Sequence, residues 1–120
     1  MVEFNGTYFG KVIINGEKYG DVLVVKDQII PRDRTLIEGK YKTTHLVAYE
    51  EIENLLDGDP EFVIIGSGQY GALKVNEKVV EKFEKNGVRA LVFKTPQAIK
   101  EFNKLKKSGK KVNALIHVTC

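Results

Sequence analysis

The sequence has no tryptophan, a single methionine and a single cysteine, Cys120. One thiol excludes an internal disulfide, so the fold must rest on its packed core, and a reducing compartment such as the cytoplasm suits it. The two histidines, His45 and His117, are dispersed, without the spacing of a metal site. No apolar run approaches the roughly 18 residues that a membrane helix needs, and Met1-Val2-Glu3-Phe4 reads as folded sequence rather than a signal peptide. The net charge of +3 is small for a nucleic-acid binder. The one basic cluster, Lys104, Lys106, Lys107, Lys110 and Lys111, crowds a helix C-terminus, where cations complement exposed carbonyls. The reading therefore expects no membrane, no nucleic acid, no metal and no cofactor. What is present is ordinary: 42% hydrophobic and 29% charged residues over 120, enough for one globular domain. The abundance of Lys and Glu points to a heat-adapted source.

The chain changes character near Val47. Residues 1–47 read as short strands and turns, a β-meander. Val12-Ile13-Ile14 precedes Asn15-Gly16, a dipeptide suited to a tight hairpin turn. Tyr19 to Val25 reads as one strand and Gln28 to Ile30 as another, separated by Lys26-Asp27 and ended by Pro31. Residues 48–120 alternate helix and strand. Tyr49 to Leu56 carries helical apolar spacing and stops at Gly58-Asp59-Pro60. Phe62-Val63-Ile64-Ile65 is an unbroken apolar run, as in a strand covered on both faces. Asn76 caps a helix with Val79, Val80 and Phe83 inward, closed by Asn86-Gly87. Ala90 to Phe93 is a second buried strand. Thr95-Pro96 reads as a capping hydroxyl followed by first-turn proline, opening a helix that ends near Gly109. Asn113 to Val118 is the last strand. Three apolar strands joined by two helices imply parallel crossovers. The expected fold is a three-layer α/β domain with a mixed, partly parallel central sheet, flanking helices and an N-terminal antiparallel β layer. The turns after Ile65 and Lys94 should then share one rim.

Gly66-Ser67-Gly68-Gln69-Tyr70-Gly71 follows a buried strand and satisfies G-x-G-x-x-G, yet the helix signal begins only at Asn76. The next strand also ends in Lys94-Thr95 rather than in the acidic residue that a ribose needs, so a dinucleotide site is not expected. A glycine turn beyond a strand's carboxyl end remains a favoured place for a small anion or a partner. Ser67, Lys74, Thr95 and His45 are its candidate polar contacts. Arg32-Asp33-Arg34 reads as a solvated, self-neutralising loop from which Arg34 could grip an anion. His117 and Cys120 should not form a nucleophile–base pair, because strand positions three apart face opposite ways, roughly 10 Å apart. His117 reads as a satisfied core or edge histidine.

Ile64-Ile65-Gly66-Ser67-Gly68, Ala72-Leu73-Lys74-Val75, Asn86-Gly87-Val88, Thr95-Pro96-Gln97-Ala98 with Phe102-Asn103, and His117-Val118-Thr119-Cys120 follow in order. From about His45 onward the chain resembles a small family of uncharacterised domains. That family includes archaeal and bacterial proteins, a human adipogenesis-associated protein and, distantly, a mitochondrial complex I assembly factor. The strands before Pro31 match it only as a general pattern. The resemblance implies a compact three-layer α/β fold with a mixed sheet and brings no established activity.

The function expected is a non-enzymatic binding or assembly module acting on a partner protein through the strand carboxyl-end edge. The alternative is a small-molecule binder or enzyme that takes an anionic metabolite at the same edge. Candidate binding residues are Arg34, His45, Gly66, Ser67, Gly68, Lys74 and Thr95. The unpaired strand edges leave room for a homo-oligomer.

Overall fold

The computed structural model describes residues 1–120 as eight strands and four helices. They are β1 (Phe4–Tyr8), β2 (Lys11–Ile14), β3 (Glu17–Tyr19), β4 (Val22–Val25), β5 (Gln28–Pro31), α1 (Arg34–Tyr41), α2 (Tyr49–Leu55), β6 (Phe62–Ser67), α3 (Glu77–Lys85), β7 (Arg89–Phe93), α4 (Thr95–Lys107) and β8 (Val112–His117). The central sheet has the order β5-β4-β8-β6-β7. Within it β8, β6 and β7 run parallel, while β4 lies antiparallel to both β8 and β5. A separate antiparallel sheet has the order β1-β2-β3. This is the mixed-sheet α/β fold expected from the alternating C-terminal pattern.

The period-2 alternation of strand side chains divides the core between the two faces of the sheet. Val22, Val24, Ile64, Ala114 and Ile116 pack on one face against Phe102, Ile99 and Ala98 of α4 and against Phe4, Val12 and Ile14 of the small sheet. Leu23, Val63, Ile65 and Leu115 pack on the other face against Ile52 and Leu55 of α2 and Val79 and Phe83 of α3. Burial of both faces explains the unbroken Phe62–Ile65 run. No helix is long and apolar enough to cross a membrane.

Five local expectations need correction. Ala90–Phe93 is not a buried strand, because β7 forms an edge of the central sheet and turns Val92 to solvent. Tyr19–Val25 is not one strand: it breaks at Gly20-Asp21, so that β3 stays in the small sheet and β4 enters the central one. The meander is thus shared between two layers. Burial of Asp21, which must reach polar partners at the sheet end, fixes that break. Phe4–Tyr8 is a strand without strong apolar alternation; it pairs with β2 through a bulge between Phe4 and Gly6. Arg34–Tyr41 is a helix where the sequence reads as a loop. Asp33 caps it by accepting from the Leu36 N–H at 3.0 Å, and only Ile37 is buried. Lys40 Nζ and the Tyr41 hydroxyl fasten α1 to α2 through Glu50, at 2.7 and 2.8 Å. The Lys40 bond, Glu50's own N–H and the Tyr41 hydroxyl hold the Glu50 carboxyl down to about 2. Finally, Lys94 occupies the cap position of α4, and Thr95 is its first residue. The Thr95 hydroxyl is spent elsewhere, as described below. Asn76, by contrast, caps α3 as expected, accepting from the Val79 N–H at 3.1 Å.

Besides the packing of Phe4 on Phe102, one side chain hydrogen-bonds the small sheet to α4. Asn103 Oδ1 accepts from the Phe4 N–H at 2.9 Å and its Nδ2 donates to the Phe4 carbonyl at 2.7 Å. Asn103→Ala should leave both Phe4 groups unpaired and cost about 1–3 kcal/mol. Amide exchange should quicken first in β1 and β2 while β6 stays protected; equal loss in both sheets would contradict this division.

Candidate functional site

The carboxyl ends of β6, β7 and β8, the start of β4 and the end of β5 lie along one rim of the central sheet. The turns after β6 and β7 touch there. The Gly68 N–H donates to Thr95 Oγ1 at 3.0 Å, and the Thr95 N–H donates to the Gly68 carbonyl at 3.0 Å. Gly66 allows this closeness, because a Cβ on it would stand 3.0 Å from Thr95 Oγ1 and 3.3 Å from the Ala98 Cβ. The Thr95 hydroxyl donates in turn to the His117 carbonyl, and Ser67 Oγ donates to the Phe93 carbonyl at 3.1 Å.

The N–H groups of the glycine loop are occupied by the chain itself. Gln69 N–H donates to the Thr119 carbonyl at 2.7 Å, while Tyr70 N–H and Ala72 N–H both donate to the Cys120 carbonyl, at 2.9 and 3.0 Å. Gly68 makes room for that segment. Its φ is +103°, and a Cβ there would meet the Cys120 carbonyl carbon at 2.4 Å and His117 Cδ2 at 2.9 Å. Residues 118–120 thus leave strand geometry and curl back over the loop, so the expected 10 Å separation along a strand does not describe them. The Gln69 side chain closes the other flank, donating to Thr7 Oγ1 at 2.9 Å. The Gly10 N–H donates to the Val118 carbonyl at 2.8 Å, which seats the β1–β2 turn on the same segment.

Beneath the loop lies a buried charge network centred on Arg32. The self-neutralising loop expected at residues 32–34 gives way to a fully buried Arg32 side chain. Its Nε donates to Glu51 Oε2 at 2.6 Å and Nη2 to Glu51 Oε1 at 2.9 Å, a bidentate pair. Nη1 donates to Asp21 Oδ2 at 3.1 Å and to the Thr44 carbonyl at 2.8 Å, and Nη2 also reaches the Leu46 carbonyl. Asp21 further accepts from His117 Nδ1 and from the Val118 N–H, each at 2.8 Å. Burial pushes the Asp21 carboxyl up, but the His117 hydrogen bond and charge, the Val118 N–H and Arg32 outweigh it and hold the group below the ordinary carboxylate range. An ionised Asp21 can only accept, so His117 Nδ1 carries the proton; in the neutral ring Nε2 accepts from Thr119 Oγ1 at 3.1 Å.

Carboxylate, imidazole and hydroxyl thus stand in the order of a nucleophile triad. Acyl transfer also needs N–H donors aimed at a developing oxyanion. The glycine-loop N–H groups that face this segment, on Gln69, Tyr70 and Ala72, already serve the carbonyls of Thr119 and Cys120.

The seven residues picked from the sequence separate in space. Gly66, Ser67, Gly68 and Thr95 form the buried floor of the rim. His45 is half-buried and packs edge-on against His117, with ring centroids 5.1 Å apart. Lys74 is exposed beside it, its N–H donating to the His45 carbonyl at 2.8 Å. Arg34 is exposed on the first turn of α1. The five main clefts are lined by none of the seven. One of these clefts, about 190 Å³ in volume, lies between Leu23, Ile30, Leu36, Ile37 and Tyr41.

A family model described as a protein of unknown function (DUF498/DUF598) matches residues 4–117. The chain belongs to this family. Its solved relatives include MT938, similar at 36% identity over 100% of both chains with a TM-score of 0.81. The conserved hypothetical protein PH1505 from Pyrococcus horikoshii OT3 is similar at 27% identity, over 98% of this chain and 99% of that one, with a TM-score of 0.82. A Mth938-like domain from Bordetella pertussis shares the fold at 14% identity, over 93% of this chain and 85% of that one, with a TM-score of 0.61. The resemblance to a small uncharacterised family with archaeal and bacterial members therefore holds. It reaches further than the motifs after His45 indicate, since membership in DUF498/DUF598 runs through β1–β5 as well.

Sequence reasoning missed Asp21, Glu51 and Gln69, and it set Arg32 in solvent. One signal was available: Asp21 stands directly against the apolar run Val22–Val25, an expensive place for a charge without a partner. The Asp21 carboxyl binds its proton less readily in the folded than in the unfolded chain. Its stabilisation is complete above the unfolded carboxylate value of ~3.9 and is lost as pH falls through its lower folded value. Asp21→Asn should lower the urea midpoint at neutral pH and flatten the loss of stability in acid. Parallel acid profiles for the two proteins would contradict that assignment.

Proposed function

We propose that this chain is a non-catalytic binding or assembly module that engages a partner protein through the rim around the Gly66–Gly68 loop. The observation that carries this reading is a contrast between the inside and the outside of the rim. Inside, the polar groups that resemble chemistry are tied to one another, and no buried side-chain nitrogen or oxygen lacks a partner. Outside, Phe9 and Tyr70 are 55% and 73% exposed with ring centroids 6.3 Å apart. Exposed aromatics on a well-ordered support are the usual anchors of protein interfaces. The support here is firm, because the β1–β2 turn, the glycine loop and residues 118–120 are bonded together. A reducing compartment, the cytoplasm, suits a module with one cysteine.

The alternative, a small anionic metabolite held by Ser67, Thr95, His45 and Lys74, draws less support. Ser67 and Thr95 are 6% and 0% exposed and already bonded. Affinity purification of the tagged chain should recover a specific partner, and Phe9→Ser/Tyr70→Ser should release it without a change in thermal stability. A partner held equally by the double variant, or a wild-type chain that purifies alone under all conditions, would count against the module.

A further inference from the structure

The charges around the rim are segregated. Five segments converge on it: Thr7–Lys11, Thr43–Ala48, Gly68–Val75, Val92–Gln97 and Val118–Cys120. Their contacts are those given above, together with a parallel bridge between Leu46 and Lys74. None of the five contains an aspartate or a glutamate, although the chain has 16. Three lysines, Lys11, Lys74 and Lys94, are exposed on them. The Lys94 stem runs past the glycine loop, with Cγ and Cε each 3.6 Å from where a side chain on Gly71 would begin. Tyr8 is 47% exposed at the end of β1, paired with Lys11 across the hairpin. Of the acidic side chains beside these segments, Asp21 and Glu51 are buried and paired with Arg32, and Asp33, just past β5, caps α1.

We infer that the rim takes an acidic segment of a partner protein, with an aromatic or aliphatic side chain of that segment seated on Phe9 and Tyr70 and its carboxylates facing Lys11, Lys74 and Lys94. The inference rests on the reading of the rim as a protein-binding surface and adds the partner's chemistry. A surface whose segments carry lysines and no aspartate or glutamate attracts acidic chains at long range and rejects basic ones, while the apolar pair supplies the desolvated contact that holds them. A nucleic acid fits less well. Its phosphates ask for a dense basic stripe, whereas the chain carries a net charge of +3 and no arginine on these five segments.

The test is selection of random displayed peptides on the wild-type chain, counter-selected on the Phe9→Ser/Tyr70→Ser variant. The survivors are then synthesised and their affinities measured by fluorescence anisotropy. They should be net acidic with at least one apolar side chain. Their affinity should fall about tenfold on Lys74→Glu/Lys94→Glu and decline as salt rises. Survivors that are neutral or basic, or that ignore the lysine reversal, overturn the acidic assignment while leaving the rim as a binding surface. A selection that leaves no survivors, because the aromatic double variant retains every selected peptide in full, overturns both readings. An oligothymidylate that displaces the peptides more effectively than they displace one another overturns the assignment in favour of a nucleic acid.

Discussion

The Arg32 guanidinium is the constraint on which this architecture depends. It has five N–H donors, and each meets an acceptor: two on Glu51, one on Asp21, and the carbonyls of Thr44 and Leu46. Those acceptors come from the start of β4, from α2 and from the irregular segment between α1 and α2. A lysine could not replace it, because a point charge with three donors lacks the planar fork that serves two carboxylates and two carbonyls at once. Burial of the ions is costly, and a buried ion pair is not by itself a source of net stability. What the network supplies is position. With Arg32 in place, Asp21 is held where it receives both His117 and the Val118 N–H, and the Thr43–Ala48 segment is held against the glycine loop.

That arrangement explains why a loop with the spelling of a nucleotide site does other work. A phosphate loop presents its free N–H groups to a ligand at the start of a helix. Here β6 ends in a turn that is closed by Thr95 from α4 and by the carbonyls of residues 119 and 120, and α3 begins only at Glu77. The loop is therefore a clamp on the chain's own C-terminal residues. The surface left over, aromatic at Phe9 and Tyr70 and cationic at its lysines, is where contact with another molecule remains open.

Much of this was legible in the sequence where periodicity carries the information. The Phe62–Ile65 and Asn113–Val118 runs, the Asn76 cap and the alternation after Ala48 point to the parallel part of the sheet and the shared rim, because burial on both faces leaves an unbroken apolar pattern. The N-terminal part was less legible. Tyr19–Val25 spans a change of sheet, and only Gly20-Asp21 marks the break. Helix α1 buries a single residue, so its amphipathic pattern is too faint to read, and its cap, Asp33, sits within what reads as a charged loop. The Arg32 network was illegible for a different reason. It joins positions 21, 32, 51 and 117, and no local pattern reports which distant charges will be buried together.

The most direct measurement of the central claim is a double-mutant cycle between Arg32→Met and Glu51→Met, read as unfolding free energy at neutral pH. Each single variant strands a buried charge and should cost about 3–5 kcal/mol. The double variant should cost no more than the worse single one, so the coupling between the sites should be at least the smaller single cost, about 3 kcal/mol or more. Single-variant costs that simply add would contradict the account, because they would mean that Arg32 and Glu51 support the rim independently.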